Sequence, residues 1–349
     1  MKTEIDFFII NNCPSFYKIN LYNSLAQKCS IHVVFIGLTN QVVINNDFEK
    51  DIHFSYEILS SIQIEKRNKL GCLVKLIGVL MRYNYKKIIY GGYVDFEVKA
   101  LLWFTSKSKN CLQFESSIKE SKVTGRTALL KKLFFSRFSV ALPSGNLQTD
   151  VFKALNFQGK IIETKGVGLF NKQKVEASQS SNSSDEIRYL YVGRLIELKN
   201  LEFLIRVFNR TNKKLTIVGT GILEKELKQL ANTNITFTGF IPNDEIYKQY
   251  ASHDVFILPS YSEPWGLVVE EAIYNGLPVL ISEAVGCQAE MVLKPQTGLV
   301  FSLHSEDSLI NSMLKIENDI HIYRSYCARF DFEKRDNEQV NAYLKLLEL

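Results

Sequence analysis

The 349-residue chain is long enough for two domains of ordinary size, and with 46% apolar and 23% charged residues it describes a globular protein, not a disordered or fibrous one. Its formal net charge of +5 conceals an asymmetry: residues 1–175 hold 25 Lys/Arg against 13 Asp/Glu, net +12, while residues 176–349 hold 17 against 24, net −7. No zinc-finger, helix-turn-helix, RRM or KH signature accompanies the basic half, so nucleic acid is set aside and a membrane surface or an anionic acceptor remains.

In chain order, EIDFFIINN (4–12) reads as a strand, with no signal-peptide h-region or cleavage site. FYKINLYNSLAQ (16–27) reads as a helix and IHVVFIG (31–37) as a strand. LGCLVKLIGVLMRY (70–83) reads as a helix; its apolar run of twelve residues, 70–81, contains a Lys and is too short to span a bilayer. KIIYGG (87–92) ends a strand, VKALLWFTSK (98–107) is a helix, and NCLQFESS, SVALPSG and KIIETKGVG supply three further strands. Short apolar runs bounded by Gly, Pro and Ser, with helices between them, argue for a parallel sheet covered on both faces.

The Ser-rich, aperiodic VEASQSSNSSDE (175–186) reads as a linker, because the pattern restarts after it. EIRYLYVGRL, KLTIVGTG, ITFTGF, DVFILPS and PVLIS carry strands; LEFLIRVFNR, ILEKELKQLA, SLINSMLKIENDI and FEKRDNEQVNAYLKLLEL are helical. The six cysteines are scattered, none at metal-ligand spacing, and read as free thiols of a reducing cytoplasm. The fold class is α/β: two doubly wound parallel-sheet halves. Residues 1–174 form the first domain, 187–325 the second, and a C-terminal helix (326–349) packs back on the first. In such sheets ligands bind beyond the carboxyl ends of the strands, so two halves facing each other place the site in a central cleft.

Three segments at strand ends carry chemistry. In YVGRLIELKN a strand ends at Gly193, and Arg194 and Lys199 follow around a helix start; a guanidinium and an ammonium both suit phosphate oxygens, although a surface Arg and Lys would look the same. In IVGTGILEKEL, Gly219 and Gly221 flank Thr220; as a dinucleotide fingerprint this is weak, and a plain tight turn is the alternative. In SEPWGLVVEEAIYNGLPVL (262–280), Pro264 suits the first turn of a helix running from about Gly266 to Asn275-Gly276. Glu263 then lies at the loop–helix junction and Glu271 two turns along, roughly 12 Å away at most. That is the reach from a hexose across a diphosphate to a ribose. An acidic helix N-terminus accounts for Glu263 alone. Glu270 points about 100° away round the helix.

This last segment resembles the E-x7-E motif of retaining glycosyltransferases of family 4 (glycosyl transferases group 1), which have the GT-B fold of two Rossmann-like domains. The matching residues are Glu263, Pro264, Gly266, Glu271, Ala272, Gly276, Pro278 and Val279. GRL-x3-K (193–199), VGTG (218–221), TGF (238–240), DVFILPS (254–260) and TGLVF (297–301) recur in the family's order, so the resemblance covers about 185–305. It implies that Arg194 and Lys199 hold a donor diphosphate, that Glu271 binds ribose hydroxyls and that Glu263 faces the donor sugar. The N–H groups of Trp265, Gly266 and Leu267 would position sugar and phosphate; Gly239 and Phe240 would border the base. It further implies transfer with retention from a UDP- or GDP-linked sugar, without a metal or other cofactor, the leaving charge being met by preorganised cations.

The first half resembles bacterial surface-polysaccharide members through FESSIKESK (114–122) and ALPSGNLQTDVFKAL (141–155). Two features of the family are missing: a glycine-rich loop after the first strand, where NNCPSFYKIN (11–20) stands, and a His near the sugar. The acceptor-side candidates are Asn12, Ser15, Glu115 and Ser116, with a capping acid as the plain alternative for Glu115. In KVTGRTALLKKLFFSRFSVAL (122–142) cations interleave with Leu and Phe. Such a helix either lies on an anionic membrane through 122–137, each cation contributing about 1 kcal/mol, or buries its Leu and Phe in its own domain. The implied acceptor is a glycan or lipid-linked glycan of a cell-surface polysaccharide or lipopolysaccharide, at the inner face of a bacterial cytoplasmic membrane. A sugar-nucleotide epimerase of the same fold and a silent nucleotide-sugar-binding subunit remain as alternatives.

Overall fold

The structure is a computed structural model that describes residues 2–39, 51–174 and 186–349. The chain divides into two units: Met1–Asn171 with Glu333–Leu349, and Lys172–Phe332. The break thus falls at 332 and not at 325, because the helix Ile320–Arg329 runs continuously through the latter position. Nearly all of the linker read at 175–186 lies outside the described residues.

The first unit holds a seven-stranded parallel sheet in the order β3-β2-β1-β4-β5-β6-β7. The strands are β1 (Thr3–Asn11), β2 (Ile31–Phe35), β3 (Ser55–Ile58), β4 (Tyr83–Tyr90), β5 (Asn110–Phe114), β6 (Val140–Pro143) and β7 (Lys160–Ile161). Its helices are α1 (Phe16–Ala26), α2 (Lys69–Leu80), α3 (Phe96–Leu101), α4 (Gly125–Phe135) and α5 (Asn146–Ala154). The strands read as continuous apolar runs because both faces are covered. Along β1, Phe8 and Ile10 point into a core shared with α2, α3 and α4. Phe7 and Ile9 point into the opposite core, where Tyr22 and Leu25 of α1 meet Val340, Tyr343 and Leu346 near the C-terminus.

The second unit holds a six-stranded parallel sheet in the order β10-β9-β8-β11-β12-β13. These strands are β8 (Arg188–Val192), β9 (Lys214–Val218), β10 (Ile235–Gly239), β11 (Val255–Leu258), β12 (Val279–Ser282) and β13 (Gly298–Phe301). The helices are α6 (Leu201–Thr211), α7 (Glu224–Leu230), α8 (Ile246–Ala251), α9 (Leu267–Tyr274), α10 (Glu306–Asn318) and α11 (Ile320–Arg329); α12 (Phe332–Leu344) returns to the first unit. In each sheet the strand order reverses beside its first strand, at β1/β4 and at β8/β11. The carboxyl ends of those strands are where ligands of such sheets bind.

Several local expectations are corrected. The helix read over 70–83 stops at Leu80, and Tyr83 already begins β4. The helix read over 98–107 is only Phe96–Leu101, so Trp103 and Phe104 stand in the turn that follows. Pro264 is not in the first turn of α9: Gly266, at φ +101°, is the N-cap, and Pro264 precedes it in the loop. α4 buries only Ala128 and Phe135, leaving Leu129, Leu130 and Leu133 exposed, so its leucines are not core residues. All six cysteines are free.

Candidate functional site

In the second unit three adjacent strand ends meet at glycines. The N–H of Gly193 donates to the carbonyl of Val218 at 3.0 Å, and that of Gly219 to the carbonyl of Gly239 at 2.8 Å. Gly219 has φ +129°, and a Cβ there would lie 2.0 Å from the Gly193 carbonyl oxygen. Only glycine lets the β8 and β9 turns close this tightly. The Leu195 N–H donates to the Thr220 carbonyl at 2.9 Å, and Gly221 completes the exposed end of that turn. Gly239 closes β10 and is followed by Phe240, which is 65% exposed, an open aromatic face at the sheet's edge.

Arg194 follows Gly193 and is exposed; its carbonyl accepts from the Tyr191 hydroxyl at 3.1 Å. Its guanidinium makes no ion pair among the described residues. Lys199 ends a 3-10 turn, Glu197–Lys199, and its Nζ donates to Oε2 of Glu263. Each of these two side chains is only 15% exposed. The pair joins the loop after β8 to the loop after β11, across the strand-order reversal. A second tie is the Tyr261 N–H, which donates to the Leu198 carbonyl at 2.9 Å.

The segment after Glu263 is held by the loop after β12. The Gly286 N–H donates to the Glu263 carbonyl at 2.9 Å and the Cys287 N–H to the Trp265 carbonyl at 3.0 Å. A Cβ on Gly266 would meet Val285 at 3.1 Å, besides requiring φ +101° of an L side chain. Trp265 is buried, and its indole Nε1 donates to Oε1 of the buried Glu270. That bond ties the loop–helix junction to the buried Glu270. Leu267 starts α9 and is half-buried. Glu271 lies further along α9 and accepts from the Tyr250 hydroxyl on α8 at 2.9 Å. Burial pushes its carboxyl up to about 7; the Tyr250 bond pulls the other way and the neighbouring Glu270 charge adds to the rise. Because the residue is only half-buried, solvent caps the size of the shift.

Tyr250 and the 283–287 loop were not singled out in the sequence. The first lies on a six-residue helix with too few turns to show a period, and the second offers only Gly286 as a signal.

In the first unit, Asn12 is exposed just beyond β1, and its Oδ1 accepts from the Cys13 N–H at 2.8 Å. Ser15 is the N-cap of α1, but its side chain makes no cap bond. Glu115 follows β5 directly. It pairs with Nζ of Lys18 and accepts from the Gln113 amide at 2.9 Å, so it is not a helix-capping acid. Lys18 is 4% exposed and escaped the sequence reading. Its spacing from Tyr22 and Leu25, four and seven residues on, put it on the buried face of α1. Ser116 is half-buried beside Glu115. Among the described residues no hydrogen bond or ion pair joins Asn12 or Ser15 to Glu115. Among the described residues no group of three or more His, Cys, Asp or Glu could hold a metal ion.

Two parallel α/β sheets of these orders, each reversing beside its first strand, define the GT-B fold. The Anabaena HepE protein in complex with UDP-glucose has the same fold: TM-score 0.72 at 17% identity, covering 98% of this chain and 99% of that one. Residues 173–331, the second unit, match the model of the family Glycosyl transferases group 1. Among curated proteins it is 31% identical over 183 residues to an uncharacterized glycosyltransferase of Methanocaldococcus jannaschii, covering 47% of this chain and 46% of that one. The match thus spans about half that relative's length. It is 21% identical over 341 residues to a 41.2 kDa protein of the cps region of Klebsiella pneumoniae, covering 88% of this chain and 92% of the other.

Proposed function

We propose that the chain is a retaining glycosyltransferase that moves a sugar from a UDP- or GDP-linked donor to a lipid-linked oligosaccharide in bacterial cell-surface polysaccharide synthesis. The observation that carries the reading is the Lys199–Glu263 pair, set beside the free guanidinium of Arg194 at the strand-order reversal of a group 1 domain. Arg194 and Lys199 take the diphosphate, with Lys199 exchanging its carboxylate partner for phosphate oxygens as the donor enters. Glu263, released from the lysine, accepts from donor-sugar hydroxyls. The N–H groups of Gly266 and Leu267, at the start of α9, position sugar and phosphate. Glu271 accepts from the paired ribose hydroxyls, and Gly239 and Phe240 border the base.

In the reaction the bond from the anomeric carbon to the diphosphate breaks, and a bond to an acceptor hydroxyl forms on the same face. The charge left on the diphosphate is met by the two fixed cations, so a metal is not required. On the acceptor side, Glu115, held by Lys18, is the candidate for orienting the acceptor, with Asn12, Ser15 and Ser116 beside the same sheet edge. The cps-region setting of the Klebsiella relative supports the polysaccharide assignment, and the HepE complex with UDP-glucose supports a nucleotide-sugar donor.

The test is thermal-shift screening against UDP, GDP, ADP and their sugars. One nucleotide stabilises the wild type but neither Glu271→Ala nor Arg194→Ala, and the sugar giving the largest shift then enters acceptor assays. If no nucleotide stabilises the protein, the donor site is wrong. Free nucleotide with an epimerised sugar and no acceptor would mean an isomerase, and binding without turnover on any acceptor a silent subunit.

A further inference from the structure

We propose that α4 and the turn after α3 form a docking surface for an anionic lipid bilayer. α4 rests on its own domain by a narrow stripe, Ala128 and Phe135. At 100° per residue, Leu129, Leu130 and Leu133 project from the opposite side, 70%, 57% and 50% exposed. Trp103 and Phe104, 46% and 81% exposed, lie in the turn after α3. The Trp103 ring meets that of Phe134 with centroids 6.4 Å apart, Arg137 lies over the indole at 5.3 Å, and Lys99 lies over Phe134 at 5.9 Å. The Trp103–Phe134 contact thereby sets the turn after α3 against α4, and exposed apolar side chains of both segments stand among cations. A patch of this kind on a soluble domain marks an interaction site.

Charge selects the partner. Residues 96–137 contain nine Lys/Arg against three Asp/Glu. Glu97 is buried against Arg67 and Glu115 is paired with Lys18. Residues 122–137 carry five cations and no acid. A second copy of the chain would set like charges face to face, whereas an anionic bilayer satisfies both features. Leucines and Phe104 enter the acyl boundary, the indole sits at headgroup level, and Arg126, Lys132 and Arg137 reach phosphates. No helix among the described residues is long and apolar enough to cross a membrane, so the contact is peripheral. The surface extends beyond the basic helix itself, and the inference does not depend on the donor site.

The two tryptophans make it measurable: Trp103 lies in the patch, and Trp265 is 2% exposed in the second unit. The full chain is floated with vesicles of phosphatidylcholine alone or with phosphatidylglycerol added. Flotation is expected with the anionic vesicles, at least about tenfold weaker on neutral ones, and falling with salt. Tryptophan emission shifts to the blue and is quenched by brominated acyl chains; Trp103→Phe abolishes this optical change but keeps flotation. Leu129→Gln/Leu130→Gln/Leu133→Gln, at exposed positions, weakens flotation at least about tenfold while the melting point and nucleotide response stay unchanged. No association with anionic vesicles at low salt, or association indifferent to the triple substitution, overturns the proposal. So does lipid-free self-association that the triple substitution abolishes, which would assign the face to a second copy.

Discussion

Lys199 and Glu263 stand 64 residues apart in sequence and share an ion pair, the only direct side-chain bond between two of the predicted donor-site residues among those described. Neither charge is well hydrated, so removing one partner strands the other. Lys199→Met is expected to cost about 1–3 kcal/mol, and Lys199→Met/Glu263→Gln to recover most of that. Urea unfolding of the four proteins, followed through Trp265 in a Trp103→Phe background, closes the cycle. Additive single effects would mean that the two residues act independently. Lys199→Met also removes nucleotide-induced stabilisation, whereas Glu263→Gln keeps nucleotide binding and loses transfer.

Glu271 is expected to make the proposed donor site pH-sensitive. Its pKa in the folded chain is raised from 4.5 to about 7, so the folded state holds the proton more tightly than the unfolded state. Its contribution to stability is complete below about pH 4.5 and is lost as pH rises through 7. The ligand-free protein therefore loses stability across this window relative to Glu271→Gln. Nucleotide binding is expected to run the other way, because on the proposed reading ribose hydroxyls donate best to the carboxylate: affinity should rise through pH 7 and be flat in Glu271→Gln. Tyr250→Phe removes a donor that favours the ionised form and moves the midpoint upward. Calorimetric titrations at several pH values read both effects; a midpoint unmoved in Tyr250→Phe contradicts the assignment.

Gly219→Ala forces an L side chain into φ +129° and its Cβ to within 2.0 Å of the Gly193 oxygen. A loss of at least about 2 kcal/mol in the second unit is expected, together with loss of the nucleotide response. Gly239→Ala is the useful contrast: the φ of +76° is strained, but the space is open, so the cost is expected nearer 1 kcal/mol. Trp265 fluorescence during unfolding ranks the two.

Leu346 is fully buried with Tyr22, Leu25 and Val340. Leu346→Ala is expected to destabilise the first unit by about 2–5 kcal/mol and to leave the nucleotide-induced shift of the second in place. Circular dichroism and Trp103 emission should then show two separated transitions. Loss of nucleotide binding together with the first transition would contradict that independence.

The α/β architecture was legible because buried parallel strands are short apolar runs between glycines, and VVF, IIY, YLYV and VFIL leave little choice of period. Element ends were less so. Tyr83 suits a helix or a strand equally, and only its pairing with Thr3 of β1 decides. In the second unit Glu263, Lys199 and the glycines were legible as motifs, but the bond between the first two spans distant segments and follows only from the strand order. Lys18 was hidden because one charge on an apolar face is invisible until its acid is found, and Glu115 lies 97 residues away. The leucines of α4 carried the opposite lesson: a residue type that usually marks a core sits outside one.

The first unit consists of two stretches, 1–171 and 333–349, with the entire second unit inserted between them. On the ribosome this reverses the usual order of events. Lys172–Phe332 is contiguous and can close its sheet as soon as it emerges, whereas the earlier-made sheet waits for Val340, Tyr343 and Leu346 to cover Phe7, Ile9 and Tyr22. The oldest part of the nascent chain is thus the last to mature. In that interval its uncovered face is exposed apolar surface of the kind that makes folding intermediates prone to aggregate.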